Sequence, residues 1–355
     1  MHMINVLDKK IGLDQPTYFV ADIAANHDGD LSRAKDLICK AAEAGADAAK
    51  FQNFLARTIV SDMGFQKLGF KQSHQANWQK SVFEVYDGAA LPLEWSAELR
   101  ATCDSVGIHY FTAPYDIEIL KQLSKFVCAW KVGSGDITWH DHIRKMSRDG
   151  KPIMLATGAS TMAEVRAAVG IILEQTADLV LMQCNTNYTA SIENFHYISL
   201  NVLRAYEQIF PGVVLGLSDH TPGHTTVLGA VALGARVIEK HFTDDTTREG
   251  PDHLFSMDPQ TWRAMVDATR HLEAALGTTE KTVMENEKET VIVQRRSIHA
   301  RARIDIGEII NSDSLIPLRP CPEDGIPPYR VNELLGKRAT KQIEKGDYVR
   351  FEDVI

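Results

Sequence analysis

The sequence is short of the features that mark several protein classes. Its five cysteines, Cys39, Cys103, Cys128, Cys184 and Cys321, are scattered and form no CxxC pair. The pattern fits a reducing cytoplasm and reduced thiols better than a disulfide framework. No apolar run approaches the roughly 18 residues of a membrane-spanning helix, and no apolar leader precedes the first polar segment. Surplus positive charge is missing too: 47 acidic against 38 basic residues give a formal net charge of -9. Nucleic acid and acidic membrane are therefore not the expected partners, while a local basic pocket for an anionic small molecule stays open. Nor is there a dinucleotide fingerprint, because Ala25-Asn26-His27-Asp28-Gly29 lacks the required glycines.

What is present is periodic. With 355 residues and an apolar fraction of 44%, the chain can fill one large barrel plus a small second domain. Eight short apolar runs, at 18–21, 48–51, 108–111, 129–132, 152–155, 179–182, 213–216 and 237–240, read as strands. Between them, residues 31–44 place Leu31, Ala34, Leu37, Ile38 and Ala41 on one helical face behind Asp30 as N-cap, and Thr161 with Glu164 has capping-box spacing. Further helices are expected at 97–105, 141–147, 197–208, 224–233 and 261–276. This is the pattern of an α/β protein, a (β/α)8 TIM barrel. The competing open, doubly wound sheet would carry its phosphate-binding glycines after the first strand, where none occur. A longer insert at 57–95, with His74, Asn77, Trp78 and Phe83, reads either as a lid over the barrel mouth or as a structural loop.

We divide the chain into a barrel at 1–280, a polar linker at 281–290 and a small, largely β domain at 291–355, where short runs alternate with turns such as Asp324-Gly325-Ile326-Pro327-Pro328.

Barrel active sites lie where strands run into their following loops. The polar groups there are Asp22, Asn26 and His27; Lys50 and Gln52; Thr112; Lys131, Ser134 and Asp136; Thr186, Asn187 and Tyr188; Ser218, Asp219 and His220; and Glu239 and His241. Lys50 and Lys131, in apolar surroundings, call for anionic compensation, which a ligand's phosphate and carboxylate can provide, while either lysine alone can equally snorkel or form a structural salt bridge. His220 and His241 end consecutive strands and can direct two imidazoles at one ion, or serve as buried hydrogen-bonded histidines or general bases. Gly133-Ser134-Gly135 and Thr157-Gly158 permit close backbone approach to an anion.

These segments resemble the N-acetylneuraminate (sialic acid) synthase family over essentially the full length. The resemblance rests on Ala21-Asp22-Ile23-Ala24-Ala25-Asn26-His27-Asp28-Gly29, Ala44-Gly45-Ala46-Asp47-Ala48-Ala49-Lys50-Phe51-Gln52, Lys131-Val132-Gly133-Ser134-Gly135-Asp136, Leu217-Ser218-Asp219-His220-Thr221, Val237-Ile238-Glu239-Lys240-His241-Phe242-Thr243 and Gly250-Pro251-Asp252-His253. Arg295-Arg296-Ser297, Leu318-Arg319-Pro320 and Leu335-Gly336-Lys337 resemble its C-terminal antifreeze-like (SAF) domain.

The resemblance implies a metal-dependent transferase that condenses phosphoenolpyruvate with an N-acylated amino-sugar aldehyde, giving a nonulosonic 3-deoxy-2-keto acid and phosphate. It implies a divalent ion held by His220 and His241, manganese or alternatively magnesium or cobalt. Phosphoenolpyruvate contacts would fall on Lys50, Thr112, Lys131, Ser134, Thr186 and Ser218, and sugar contacts on Gln52, Tyr188, Asp252 and Arg319. Asp22 and Asp136 would be catalytic, and the protein a homodimer whose small domain brings Arg319 to the partner's barrel. Asp22 and Asp136 stand where the family carries Glu, and Ala156 where it carries a phosphate-contacting Ser. These departures motivate a catalytically weakened sugar-binding protein as an alternative and point toward a modified deoxy sugar; a related phosphosugar synthase is a further alternative among enzymes.

Overall fold

The computed structural model describes residues 3–68, 75 and 78–355 and divides into two compact units, Met1–Gly277 and Thr278–Ile355. His74 and Asn77 of the insert lie outside the described residues.

The first unit opens with a short antiparallel hairpin, β1 (Ile4–Val6) and β2 (Lys9–Ile11). Eight strands follow: β3 (Tyr18–Asp22), β4 (Ala48–Asn53), β5 (His109–Pro114), β6 (Trp130–Val132), β7 (Ile153–Ala156), β8 (Leu179–Cys184), β9 (Val214–Asp219) and β10 (Val237–His241). They close into one parallel barrel in the order β10-β3-β4-β5-β6-β7-β8-β9, the TIM-barrel class. Every barrel strand except β6 runs one to three residues beyond its apolar run. The ladder bonds the backbone whatever the side chain, so it carries polar residues to the rim that hydrophobic patterning does not see.

Helices wrap the outside. α1 (Leu31–Glu43) buries Ala34, Leu37, Ile38 and Ala41, and Asp30 caps it by accepting from the Ser32 and Arg33 amides. Three short helices, α2 (Ala56–Ile59), α3 (Asp62–Leu68) and α4 (Val82–Ala89), occupy the insert. α5 (Ser96–Val106), α6 (Leu120–Ser124), α7 (His140–Ser147) and α8 (Met162–Leu173) follow, the last with the Thr161–Glu164 capping box. The helix expected at 197–208 is displaced: residues Ile192–Tyr197 form a 3-10 turn and α9 spans Val202–Ile209. Ser199, at φ 51°, is in the left-handed region and interrupts the helix between them. α10 (Thr225–Ala232) and α11 (Pro259–Leu276) complete the unit.

In the second unit α12 (Lys288–Gln294) precedes an antiparallel pair, β11 (Ser297–Ala300) and β12 (Leu315–Leu318). Helix thus begins inside the stretch read as linker. Isolated bridges and 3-10 turns complete this unit around its own core, which includes Ile298, Ile304, Ile310, Leu334 and Val349. Among the described residues, no helix is long and apolar enough to cross a membrane.

Candidate active site at the barrel mouth

Parallel register puts chemistry side by side. His241 pairs with Asp22, and Asp22 with Lys50, so three ionisable residues from β10, β3 and β4 form one row. Two positions before His241, hence on the same strand face, lies Glu239. All four border a cavity of about 370 Å³. It is also bordered by Lys131, Ser134 and Asp136 from the β6 end, Thr186 and Tyr188 beyond β8, Ser218 and His220 from the β9 end, and Gln52 and Asp252.

Glu239 organises the charges. Lys131 Nζ donates to Glu239 Oε1 at 2.7 Å, Lys50 Nζ lies 3.6 Å from the same oxygen, and the Ser218 hydroxyl donates to it at 3.3 Å. β6 and β10 are four places apart in either direction around the barrel, so the Lys131–Glu239 pair spans the lumen. Lys50 also donates to Asp22 Oδ2 at 2.6 Å. The sequence leaves compensation of the two lysines to a ligand's anions or to structural salt bridges. The structure supplies it from within the chain, through Asp22 and Glu239. Burial opposes the charge on Lys50, but these two carboxylates outweigh it and its pKa is raised. Burial likewise opposes the Glu239 anion, yet Lys131 and Lys50 hold its pKa below the usual range.

Other expected residues separate into two groups. Gln52 Nε2 donates to Asp22 Oδ2 at 3.3 Å, and Asp252 Oδ2 accepts from the Ala25 amide at 3.1 Å. Ser134 Oγ accepts from the Gly158 amide at 3.0 Å. Thr112 is not on the cavity: its hydroxyl donates to the Phe51 carbonyl and the Asn53 side chain, at 2.9 and 2.7 Å. Asp219 also faces away, bonded to Lys240. Ala156 borders the cavity and presents no hydroxyl there. Arg319 is exposed in the second unit. The described part of the insert contributes an apolar wall of Ile59, Trp78, Val85 and Tyr86, beside Phe54 at the end of β4, which places that part at the mouth.

Two glycines work by lacking a side chain. A Cβ on Gly158 would fall 1.9 Å from Thr186 Oγ1 and 2.9 Å from Ser134 Oγ, and one on Gly133 2.7 Å from the Tyr115 hydroxyl. Gly135 has open space and no such requirement.

The NeuB family model matches residues 37–281, and the SAF domain model residues 295–355. The chain belongs to the NeuB family. It is 33% identical to N,N'-diacetyllegionaminic acid synthase of Campylobacter jejuni subsp. jejuni serotype O:2, over 94% of this chain and 99% of that one. It is 34% identical to pseudaminic acid synthase of C. jejuni serotype O:23/36, over 96% and 97% of the two chains. A crystal structure of N-acetylneuraminic acid (sialic acid) synthetase from Leptospira borgpetersenii serovar Hardjo-bovis superposes with a TM-score of 0.70 at 26% identity, covering 82% of this chain and 96% of that one.

This NeuB-family chain has a donor set suited to an open metal site. The His220 and His241 ring centroids are 5.4 Å apart. His220 Nδ1 donates to the Asn185 carbonyl at 3.0 Å, which fixes its tautomer. His241 Nδ1 and Asp22 Oδ1 are buried without hydrogen-bond partners. Burial, then His220 and Lys50, pushes the His241 pKa well down, leaving a neutral imidazole with a lone pair. Phe255 and Tyr188, at 4.9 and 6.2 Å from the His241 ring, collar the pair. Among the described residues no three His, Cys, Asp or Glu side chains form a closed metal cage, so substrate or water oxygens would complete the coordination.

Asp136 stands apart from the ion pairs: burial alone pushes its pKa up to about 6. A raised carboxyl pKa means that ionisation opposes folding from the ordinary value of 3.8 upward, and in full above about 6. Asp136→Asn is therefore expected to stabilise the protein at pH 8 by about 1–3 kcal/mol, with the gain fading as the pH falls through 6 toward 4. Urea midpoints across that range check this; a gain that persists at pH 4 contradicts it. Gly158→Ala is expected to cost about 1–3 kcal/mol by overpacking, read in the same denaturation series.

Proposed function

We infer that this protein condenses phosphoenolpyruvate with an N-acylated amino-sugar aldehyde, in the presence of a divalent ion, to give a nonulosonic acid and phosphate. NeuB-family membership supports the reaction type. The observation that carries the site assignment is the cross-lumen cluster Lys131–Glu239–Lys50–Asp22 beside two imidazoles.

In that cluster two positive and two negative groups balance, so it offers no surplus positive charge to an anionic substrate. His220 and His241 would hold the ion, which when bound would supply the missing positive charge and Lewis-acid polarisation of an aldehyde carbonyl. Manganese is the ion we assign, with magnesium and cobalt in the same class. Lys131, Lys50, Ser134 and Ser218 bind the phosphate and carboxylate of phosphoenolpyruvate by charge-assisted hydrogen bonds, and Thr186 closes that side. Gln52, Tyr188 and Asp252 orient the sugar so that its aldehyde carbon faces the methylene carbon of phosphoenolpyruvate. The new carbon–carbon bond forms between those atoms as the carbonyl π pair moves to the aldehyde oxygen, which takes up a proton to become a hydroxyl; water adds at the neighbouring enol carbon with loss of a proton, and that carbon's bond to the phosphate oxygen breaks, releasing phosphate. Asp136 receives the proton of the attacking water: with a pKa near 6 it is ionised at neutral pH yet basic enough to act. Asp22, already bonded to Lys50 and Gln52, holds the lysine in place. Thr112 is left out of the substrate contacts.

The apolar insert wall suits the acyl methyls and a deoxygenated carbon of the sugar. Relatives named for legionaminic and pseudaminic acids support a modified deoxy sugar over N-acetylmannosamine. The role of Arg319, and the homodimer it serves, rest on its sequence motif.

A panel of divalent ions with phosphoenolpyruvate and several N-acylated sugars, followed by phosphate release and mass spectrometry, tests the reading. A nine-carbon keto acid is expected; no product from any sugar, with folding verified, overturns it, and a product retaining a sugar phosphate moves the assignment to a phosphosugar synthase. His220→Ala and His241→Ala are each expected to weaken manganese binding beyond the roughly 10–100-fold typical of outer-sphere changes. With manganese saturating, the wild-type rate is expected to fall as the pH drops through about 6, where Asp136 takes up its proton. That limb is absent in Asp136→Asn, whose rate is low throughout.

A further inference from the structure

A second set of buried charges lies behind the two imidazoles and faces away from the cavity. Asp219 precedes His220, Lys240 precedes His241, and the β9–β10 register pairs Asp219 directly with Lys240. Lys240 Nζ donates to Asp219 Oδ2 and to the Thr221 carbonyl, both at 2.6 Å. The Thr221 and Thr226 hydroxyls donate to the same Asp219 oxygen at 2.8 and 2.7 Å. Asp219 and Lys240 are 2% and 1% exposed and neither borders the cavity, so neither can touch a substrate.

A buried ion pair is weak evidence for stability, because desolvating two charges offsets much of their attraction. Position gives a better account. His220 follows the last residue of β9 and has no ladder partner of its own. Its neighbours on both sides, Asp219 and Thr221, are tied into the knot. His241 ends β10, and the residue before it holds the other end. The knot therefore joins the backbone of one imidazole to the backbone of the other.

We propose that Asp219 and Lys240, with Thr221 and Thr226, are positioning residues that fix the separation and orientation of His220 and His241 so that both can bind one divalent ion. This rests on the metal reading above. It differs from a stabilising role in that its loss changes ion affinity out of proportion to stability.

The probe is manganese(II) alone, titrated into the full chain and followed by the electron paramagnetic resonance signal of the free ion. Lys240→Met by itself strands a buried carboxylate, so the main variant is the double Asp219→Asn/Lys240→Met, which removes both charges. Thr161→Ala, which removes the α8 cap and changes no residue that borders the cavity, serves as a control for lost stability. The double variant is expected to bind manganese about 10–100-fold more weakly than wild type, Lys240→Arg to recover most of that loss, and Thr161→Ala to bind as wild type does. Affinity in the double variant within twofold of wild type overturns the proposal, as does an equal loss in Thr161→Ala. If the double variant does not fold, Thr226→Val decides: it removes one hydrogen bond to Asp219, and an unchanged manganese affinity counts against positioning while a several-fold loss supports it. Wild-type protein that takes up no manganese overturns the metal reading and this proposal with it. Wild-type binding that His220→Ala abolishes and the double variant leaves intact overturns this proposal alone.

Discussion

The ion pair between Lys131 and Glu239 crosses the whole barrel, and the cavity depends on it. Strands β6 and β10 face each other across the lumen, and nothing in the ladder joins them directly. Their 2.7 Å contact lets two lysines sit in a buried mouth without unbalanced charge. Removing one partner of a buried pair costs about 3–5 kcal/mol, because the other charge is stranded. Lys50, Asp22 and Ser218 all connect to this pair, so changing one group alters the protonation and direction of the others.

The architecture was legible because it depends on repetition. Eight apolar runs at similar spacing specify eight parallel strands, and Asp30 and Thr161 announce their helices by the local chemistry of orphan amides. The hairpin Ile4–Ile11 was not read, since strands of three residues carry too little alternation to register. The helix expected at 197–208 began late because the left-handed backbone at Ser199 is invisible in an apolar pattern.

At the site, residue type was legible but direction was not. Glu239, Lys240 and His241 are three consecutive polar residues, and only strand alternation separates those facing the cavity from the one facing out. Glu239 therefore went without a role although it connects most of the charged groups. Thr112 was given a substrate contact that its hydroxyl is not placed to make, since Phe51 and Asn53 already hold it. Phe255, which packs on both imidazoles, follows the long loop after β10, and no motif points to it.

The apolar wall of the cavity has a different origin from its charges. Every residue of the Lys131–Glu239 cluster sits on a barrel strand, whereas Ile59, Trp78, Val85 and Tyr86 come from one inserted segment whose helix α3 buries no residue of its own. Residues bound into a closed ladder tolerate little replacement, but an insert that adds no strand to the barrel can change without breaking a ladder hydrogen bond. Selection can thus retune which molecule is admitted while leaving the reacting groups untouched, so substrate range and reaction type are separately heritable in this scaffold.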